Sequence, residues 1–207
     1  MKKGKFIVFE GIDGSGKSTI SKLVFRKLND DYGNTHLTFE PTDGPIGSLI
    51  RNILNKRIIA DEKTLGTLFL ADRLDHIGNP VSGILTYLEK GIHVISDRFY
   101  YSSYAYHVPP LSLDWLINAH TVCTEMLRPD IVFYIDLPVE ESLKRLKKSR
   151  QFRDIFETRE KLEQVTLNYK EALKREGKKD NVVIIDGLAT VEEIFKKVTE
   201  KLSTIIE

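Results

Sequence analysis

Residues Gly11-Ile12-Asp13-Gly14-Ser15-Gly16-Lys17-Ser18 satisfy the spacing G-x-x-x-x-G-K-[ST], and Thr19 follows directly. These residue types suit a polyphosphate. Glycines let the backbone curl until successive N–H groups point at phosphate oxygens, and a helix starting at the end of the run adds its positive pole. Lys17 is placed to reach the β- and γ-phosphates, and the Ser18 hydroxyl to coordinate Mg²⁺. The pattern carries weight only between a strand and a helix. Here the apolar run Phe6–Glu10 precedes it and an amphipathic stretch from Ser18 follows, so context and pattern agree.

Other chemistry-bearing residues recur at short spacings. Phe69 and Arg73 are four apart and share a helical face, a flat ring beside a cation that suits a nucleobase; taken alone, they read rather as a core Phe and a salt-bridged Arg. Ser103 and Tyr106 are three apart, within a tyrosine-rich stretch that otherwise reads as amphipathic packing. Arg51 and Arg98 offer guanidinium forks for phosphate. Asp97 and Asp136 each end an apolar run, where a carboxylate can hold Mg²⁺ directly or through water; the two are rivals for that role. Lys144, Arg145, Lys147, Lys148, Arg150 and Arg153 crowd one segment, which suits a basic lid over a transferred phosphoryl group or a solvated helix end.

The elements that must position these groups follow from periodicity. Apolar runs predict strands over Phe6–Glu10, His36–Phe39, His93–Asp97, Ile131–Asp136 and Val182–Asp186. The first, fourth and fifth are nearly continuous, as expected of strands covered on both faces. Amphipathic stretches predict helices over Ser18–Asn29, Pro45–Asn55, Asp61–Ile77, Val81–Lys90, Ser112–Leu127, Val139–Lys148, Arg159–Arg175 and Thr190–Ile206, the last opened by a Thr190/Glu193 capping box. Alternation of the two predicts a three-layer α/β fold on a five-stranded parallel sheet, one domain over residues 1–207 with a lid near 144–157.

Composition narrows the function. The 31 basic and 30 acidic residues leave a formal charge of +1, so no basic field advertises nucleic acid. The run Phe6–Phe9 is too short for a signal core, no run approaches a membrane span, and the single cysteine, Cys123, suits a reducing cytoplasm as a buried thiol. The five histidines lack metal-ligand spacing, leaving Mg²⁺ with ATP as the one metal inferred. Guanine recognition would need N-K-x-D, and Asn55-Lys-Arg-Ile lacks the Asp; Asp75-His-Ile-Gly78 falls in a helix, away from any strand end.

Phe9-Glu-Gly-Ile-Asp13 with the phosphate loop, then Glu40-Pro41 with Pro45-Ile-Gly47 and Arg51, Phe69-Leu-Ala-Asp-Arg73, and Asp97-Arg98-Phe99 with Ser102-Ser-Tyr-Ala-Tyr106 resemble, in order, the motifs of the thymidylate kinases. The resemblance runs from residue 6 to the last strand. It implies strand order 2-3-1-4-5, a homodimer, and transfer from MgATP to dTMP. It also implies roles: Phe69 stacking on thymine, Arg73 bonding a base carbonyl, and Ser103 contacting the base. Tyr106 would exclude a 2′-hydroxyl, Asp13 face the 3′-hydroxyl, Glu40 and Pro41 border the acceptor, and Arg51 and Arg98 clamp its phosphate. Asp97 takes the Mg²⁺ position, Arg150 or Arg153 the catalytic lid charge, and Arg145 the ATP side. The sequence departs from the family at Phe39, where Arg is usual, at His107, where Gln is frequent, and at Arg153-Asp154, where Asp-Arg is common. Rival readings are a kinase for another nucleoside monophosphate or for a deoxynucleoside, and a nucleotide-binding regulator without turnover.

Overall fold

The computed structural model describes residues 3–148 and 158–206. Five parallel strands, β1 (Phe6–Glu10), β2 (Thr35–Phe39), β3 (His93–Asp97), β4 (Ile131–Asp136) and β5 (Val182–Asp186), form one sheet in the order β2-β3-β1-β4-β5. This is the order expected above. The helices are α1 (Lys17–Tyr32), α2 (Pro45–Leu54), α3 (Glu62–Gly78), α4 (Ile84–Glu89), α5 (Tyr100–Tyr106), α6 (Leu113–Ala119), α7 (Thr121–Met126), α8 (Val139–Lys148), α9 (Arg159–Glu176) and α10 (Val191–Leu202).

Successive residues of β1 point to opposite faces, and each face has its own core. Phe6 and Val8 pack with Ile50 and Ile53 of α2, Leu65 and Ile77 of α3, the α5 tyrosines and Leu162, Val165 and Tyr169 of α9. Ile7 and Phe9 pack with Ile20, Val24 and Leu28 of α1 and Ile194, Val198 and Leu202 of α10. All of β1 is buried, which explains its unbroken apolar text.

Three expectations need correction. β5 is not covered on both faces: it is an edge strand, and Ile184 is 66% exposed. The helix expected from Val81 begins at Ile84, because the Asn79 side chain accepts from the Val81 and Ser82 amides and closes a turn there. The helix expected over Ser112–Leu127 is divided at His120, whose ring donates back to the Leu116 carbonyl at 2.8 Å. The Thr190/Glu193 capping box is present, and Cys123 is buried, its thiol pushed up to about 11 chiefly by burial. Among the described residues, no helix is long and apolar enough to cross a membrane.

Candidate active site

β1 pairs with β3 so that Phe9 lies beside Asp97, and the phosphate loop and the Asp97-Arg98 turn therefore leave the sheet side by side. Gly14 and Gly16 hold φ of 75° and 95°, a region costly for any residue with a Cβ, and Gly16 caps α1. Space is short as well: a Cβ on Gly14 would sit 3.1 Å from the Ser142 carbonyl. From α8, the Ser142 hydroxyl donates to the Asp13 carbonyl at 2.6 Å and fixes the loop from behind.

On the donor side, the Lys17 ammonium lies 3.3 Å from the Ile12 carbonyl and 3.6 Å from Asp13 Oδ1. Burial, then the charge of Arg98, lowers its pKa. The Ser18 hydroxyl donates to Asp97 Oδ2, whereas Asp97 Oδ1 is buried with no hydrogen-bond partner among the described residues. A hard oxygen pair of this kind suits Mg²⁺, which takes one or two protein oxygens and completes its shell with water and phosphate. Residues 14–20 and Arg145 of α8 line a cleft of about 610 Å³ together with Leu188, Thr190, Val191 and Ile194.

The second cavity, about 150 Å³, is lined by Phe69 and Arg73 of α3, Ser103 and Tyr106 of α5, His107, Glu40, Pro41, Asp13 and Arg98. Arg73 is 0% exposed and paired with Glu40. Burial opposes ionisation of Glu40, but Arg73 and His76 outweigh it and the carboxyl stays below its ordinary range. The Phe69 and His107 rings lie 5.0 Å apart. Burial and then the Arg73 charge push the His107 imidazole down to about 3, so the ring facing this cavity is neutral.

Asp13, Glu40 and Arg98 line this cavity and also a cleft shared with Lys17, Ser18 and Asp97. The two sides meet there. Arg98 has φ 77°, a strained value for a residue with a Cβ, held by three bonds: its N–H to Phe9 O at 2.9 Å, Ser96 Oγ to its carbonyl at 2.7 Å, and the Phe99 N–H to Glu10 Oε1 at 2.8 Å. Its guanidinium pairs with Asp13, reaches Ser102 Oγ at 3.0 Å and lies 4.9 Å over the Tyr106 ring. Burial opposes the Asp13 charge, but Arg98, Lys17 and the Tyr106 hydroxyl outweigh it and hold that carboxyl at about 2.

Not every expected residue converges. Arg51 donates to the Pro41 carbonyl at 2.9 Å and to Thr42 O and Ser48 Oγ, and it is absent from the lining of both the cavity and the shared cleft; it braces the Glu40-Pro41 turn. Asp136 lines none of these clefts, and its carbonyl accepts from the Gly187 amide. Arg150 and Arg153 lie outside the described residues. Supporting residues to which the sequence reading gave no role are Glu10 and Ser102, both inside the quoted motifs, and Tyr169, Ser142 and His120, outside them. Buried Glu10 accepts from the Phe99 and Ser102 amides, the Ser102 hydroxyl and the Tyr169 hydroxyl, so it joins β1 to the Arg98 turn, α5 and α9. Its visible signals were a carboxylate closing an otherwise apolar strand and its place in Phe9-Glu-Gly-Ile-Asp13.

Comparison with known proteins agrees with this geometry. Residues 9–198 match the family model described as thymidylate kinase. Probable thymidylate kinases of Pyrococcus abyssi and Methanococcus aeolicus are each 37% identical over 202 residues, spanning 95% and 96% of this chain and 94% and 95% of theirs. The crystal structure of thymidylate kinase from Ehrlichia chaffeensis superposes with a TM-score of 0.73 at 26% identity, covering 97% of this chain and 99% of that one. The strand order, the phosphate loop and these matches lead to one conclusion: the chain belongs to the thymidylate kinase family.

Proposed function

We propose that this protein transfers the γ-phosphate of MgATP to the 5′-phosphate of dTMP, giving dTDP and ADP. The observation that carries the reading is the shared wall of Asp13, Glu40 and Arg98 between the acceptor cavity and the phosphate-loop cleft. A donor and an acceptor bound on its two sides would meet at Arg98. The cavity of about 150 Å³ is well below the volume that buries a drug-sized ligand, so it takes the base and leaves sugar and phosphate directed toward Asp13 and Arg98.

In this reading the phosphate-loop amides of residues 11–19 cradle the donor phosphates, and Lys17 stabilises charge on the transferred group. Arg98 aligns the acceptor phosphate, which is already an anionic nucleophile at neutral pH, so positioning and charge stabilisation do most of the work. Ser18 and Asp97 would hold Mg²⁺, which when bound neutralises the β- and γ-phosphate oxygens. Arg145 lies on the ATP side, with further positive charge assigned to Arg150 or Arg153. Asp13 takes the 3′-hydroxyl, Phe69 stacks on the base, and Tyr106 occupies the space of a 2′-hydroxyl. We extend the reading to a single-domain, cytoplasmic homodimer that binds neither nucleic acid nor membrane; exposed Val122 and Met126, four apart on α7, offer an apolar face to a second copy. ADP release dependent on added dTMP tests the activity, and sedimentation the dimer.

A further inference from the structure

Gly14 stands in the phosphate loop with φ 75° and lines the donor cleft. Glycine takes either sign of φ at little cost, so its own backbone does not decide which way the Asp13–Gly14 peptide turns. That direction has to come from a contact. A trans peptide is planar, with its carbonyl and its N–H on opposite edges, so whatever holds the Asp13 carbonyl also aims the Gly14 N–H.

The carbonyl is held from α8. The Ser142 hydroxyl donates to it at 2.6 Å, and Ser142 is 0% exposed, so water does not compete for the bond. The Gly14 N–H, on the other edge of the same peptide, has no acceptor among the described residues. Helix and loop are in close contact here: a Cβ on Gly14 would lie 3.1 Å from the Ser142 carbonyl and 3.3 Å from Leu146 Cγ. Ser142, Arg145 and Leu146 share one face of α8 by their spacing, and the last two line the donor cleft beside Gly14.

We infer that Ser142 is a positioning residue for the donor phosphates: its hydroxyl turns the Asp13 carbonyl into the protein and so presents the Gly14 N–H to the cleft. The inference rests on the MgATP reading of that cleft. Without the hydroxyl the Asp13 carbonyl loses its buried partner, and rotation of the peptide toward the cleft becomes its route to water. An acceptor oxygen would then face the phosphates where a donor stands in the wild type. The acceptor side is held separately, because the Asp13 carboxylate keeps Arg98 and the Tyr106 hydroxyl whichever way its carbonyl turns.

The test is calorimetric titration of MgADP and, separately, of dTMP into the wild type and Ser142→Ala, with the KM for ATP measured alongside and a thermal melt to confirm folding. In Ser142→Ala the Kd for MgADP and the KM for ATP should rise about tenfold, the size of one hydrogen bond to a charged group, while the Kd for dTMP stays within about twofold. A serine that only packs would lower the melting temperature without splitting the two sites. Donor affinity preserved within about twofold, or donor and acceptor affinities falling together, therefore overturns the inference. Should Ser142→Ala fail to fold, Ser142→Cys keeps the shape with a weaker donor, and the same split or its absence decides. The wild type reports separately on the proposed function: one that binds no MgADP removes the MgATP reading and this inference with it, whereas an active wild type with unchanged donor affinity in the variant removes this one alone.

Discussion

The Tyr106 hydroxyl donates to Asp13 Oδ2 across 2.9 Å, tying the acceptor helix α5 to the phosphate loop. One aromatic ring thus lines the cavity of Phe69 and Arg73, proposed to take the base and sugar, and anchors the phosphate loop, proposed to hold the other substrate. Tyr106→Phe should keep the wall and lose the anchor: sugar discrimination largely persists while stability falls by about 1–3 kcal/mol, because the hydroxyl also accepts from the Asp13 amide at 3.2 Å and from Arg98 Nη2 at 3.4 Å. Tyr106→Ala should relax discrimination of dUMP over UMP. Urea unfolding and kcat/KM for the two nucleotides check both statements, and an unrelaxed ratio in Tyr106→Ala would place the sugar filter elsewhere.

Lys17 lies in the buried fold of the phosphate loop, 3.6 Å from Asp13. Lys17→Ala should lower turnover by about 10²–10³, the usual effect of deleting one preorganised charge-stabilising donor. Single-turnover kinetics on folded protein measures this, and near-normal turnover would remove Lys17 from the mechanism.

Glu10 binds four donors at the root of the Arg98 turn. Glu10→Ala would strand them in the core, a loss of about 3–5 kcal/mol. Arg98 would also lose part of what holds its strained backbone, so kcat should fall although Glu10 does not line the acceptor cavity. A stability loss without any change in kcat would reduce Glu10 to a packing role.

His107 and His120 are held near 3 in the folded protein by burial and by Arg73, against 6.5 when unfolded. Between those values the unfolded chain binds protons that the native state refuses, so stability is full above about pH 6.5 and falls as the pH drops toward 3. Each histidine contributes a slope of about 1.4 kcal/mol per pH unit in that window. His107→Gln should remove about one proton from the pH dependence of unfolding near pH 5. An unchanged slope would mean that the native imidazole titrates normally.

The sequence made β1, the phosphate loop and the Asp97-Arg98 turn legible because each is a local pattern with one physical explanation. Phe69 and Arg73, and Ser103 and Tyr106, were legible as pairs because helical spacing alone puts them on one face. The Glu40, Ser103 and His120 partners of Arg73 were not, since they are 33, 30 and 47 residues away and meet it only through the sheet order. The exposed face of β5 was hidden likewise, because Val182–Asp186 reads as a covered strand and only its place at the sheet edge leaves Ile184 in solvent.

A coupled ADP-release assay on the purified protein over a panel of nucleoside monophosphates measures its acceptor preference. A polar donor to the base carbonyl and an aromatic sugar wall, as proposed, predict kcat/KM highest for dTMP and lower but measurable for dUMP, since one methyl group is worth only about 1–3 kcal/mol. UMP and dCMP should fall far below both. Phosphorylation of UMP or dCMP as efficient as that of dTMP would contradict the thymidylate assignment.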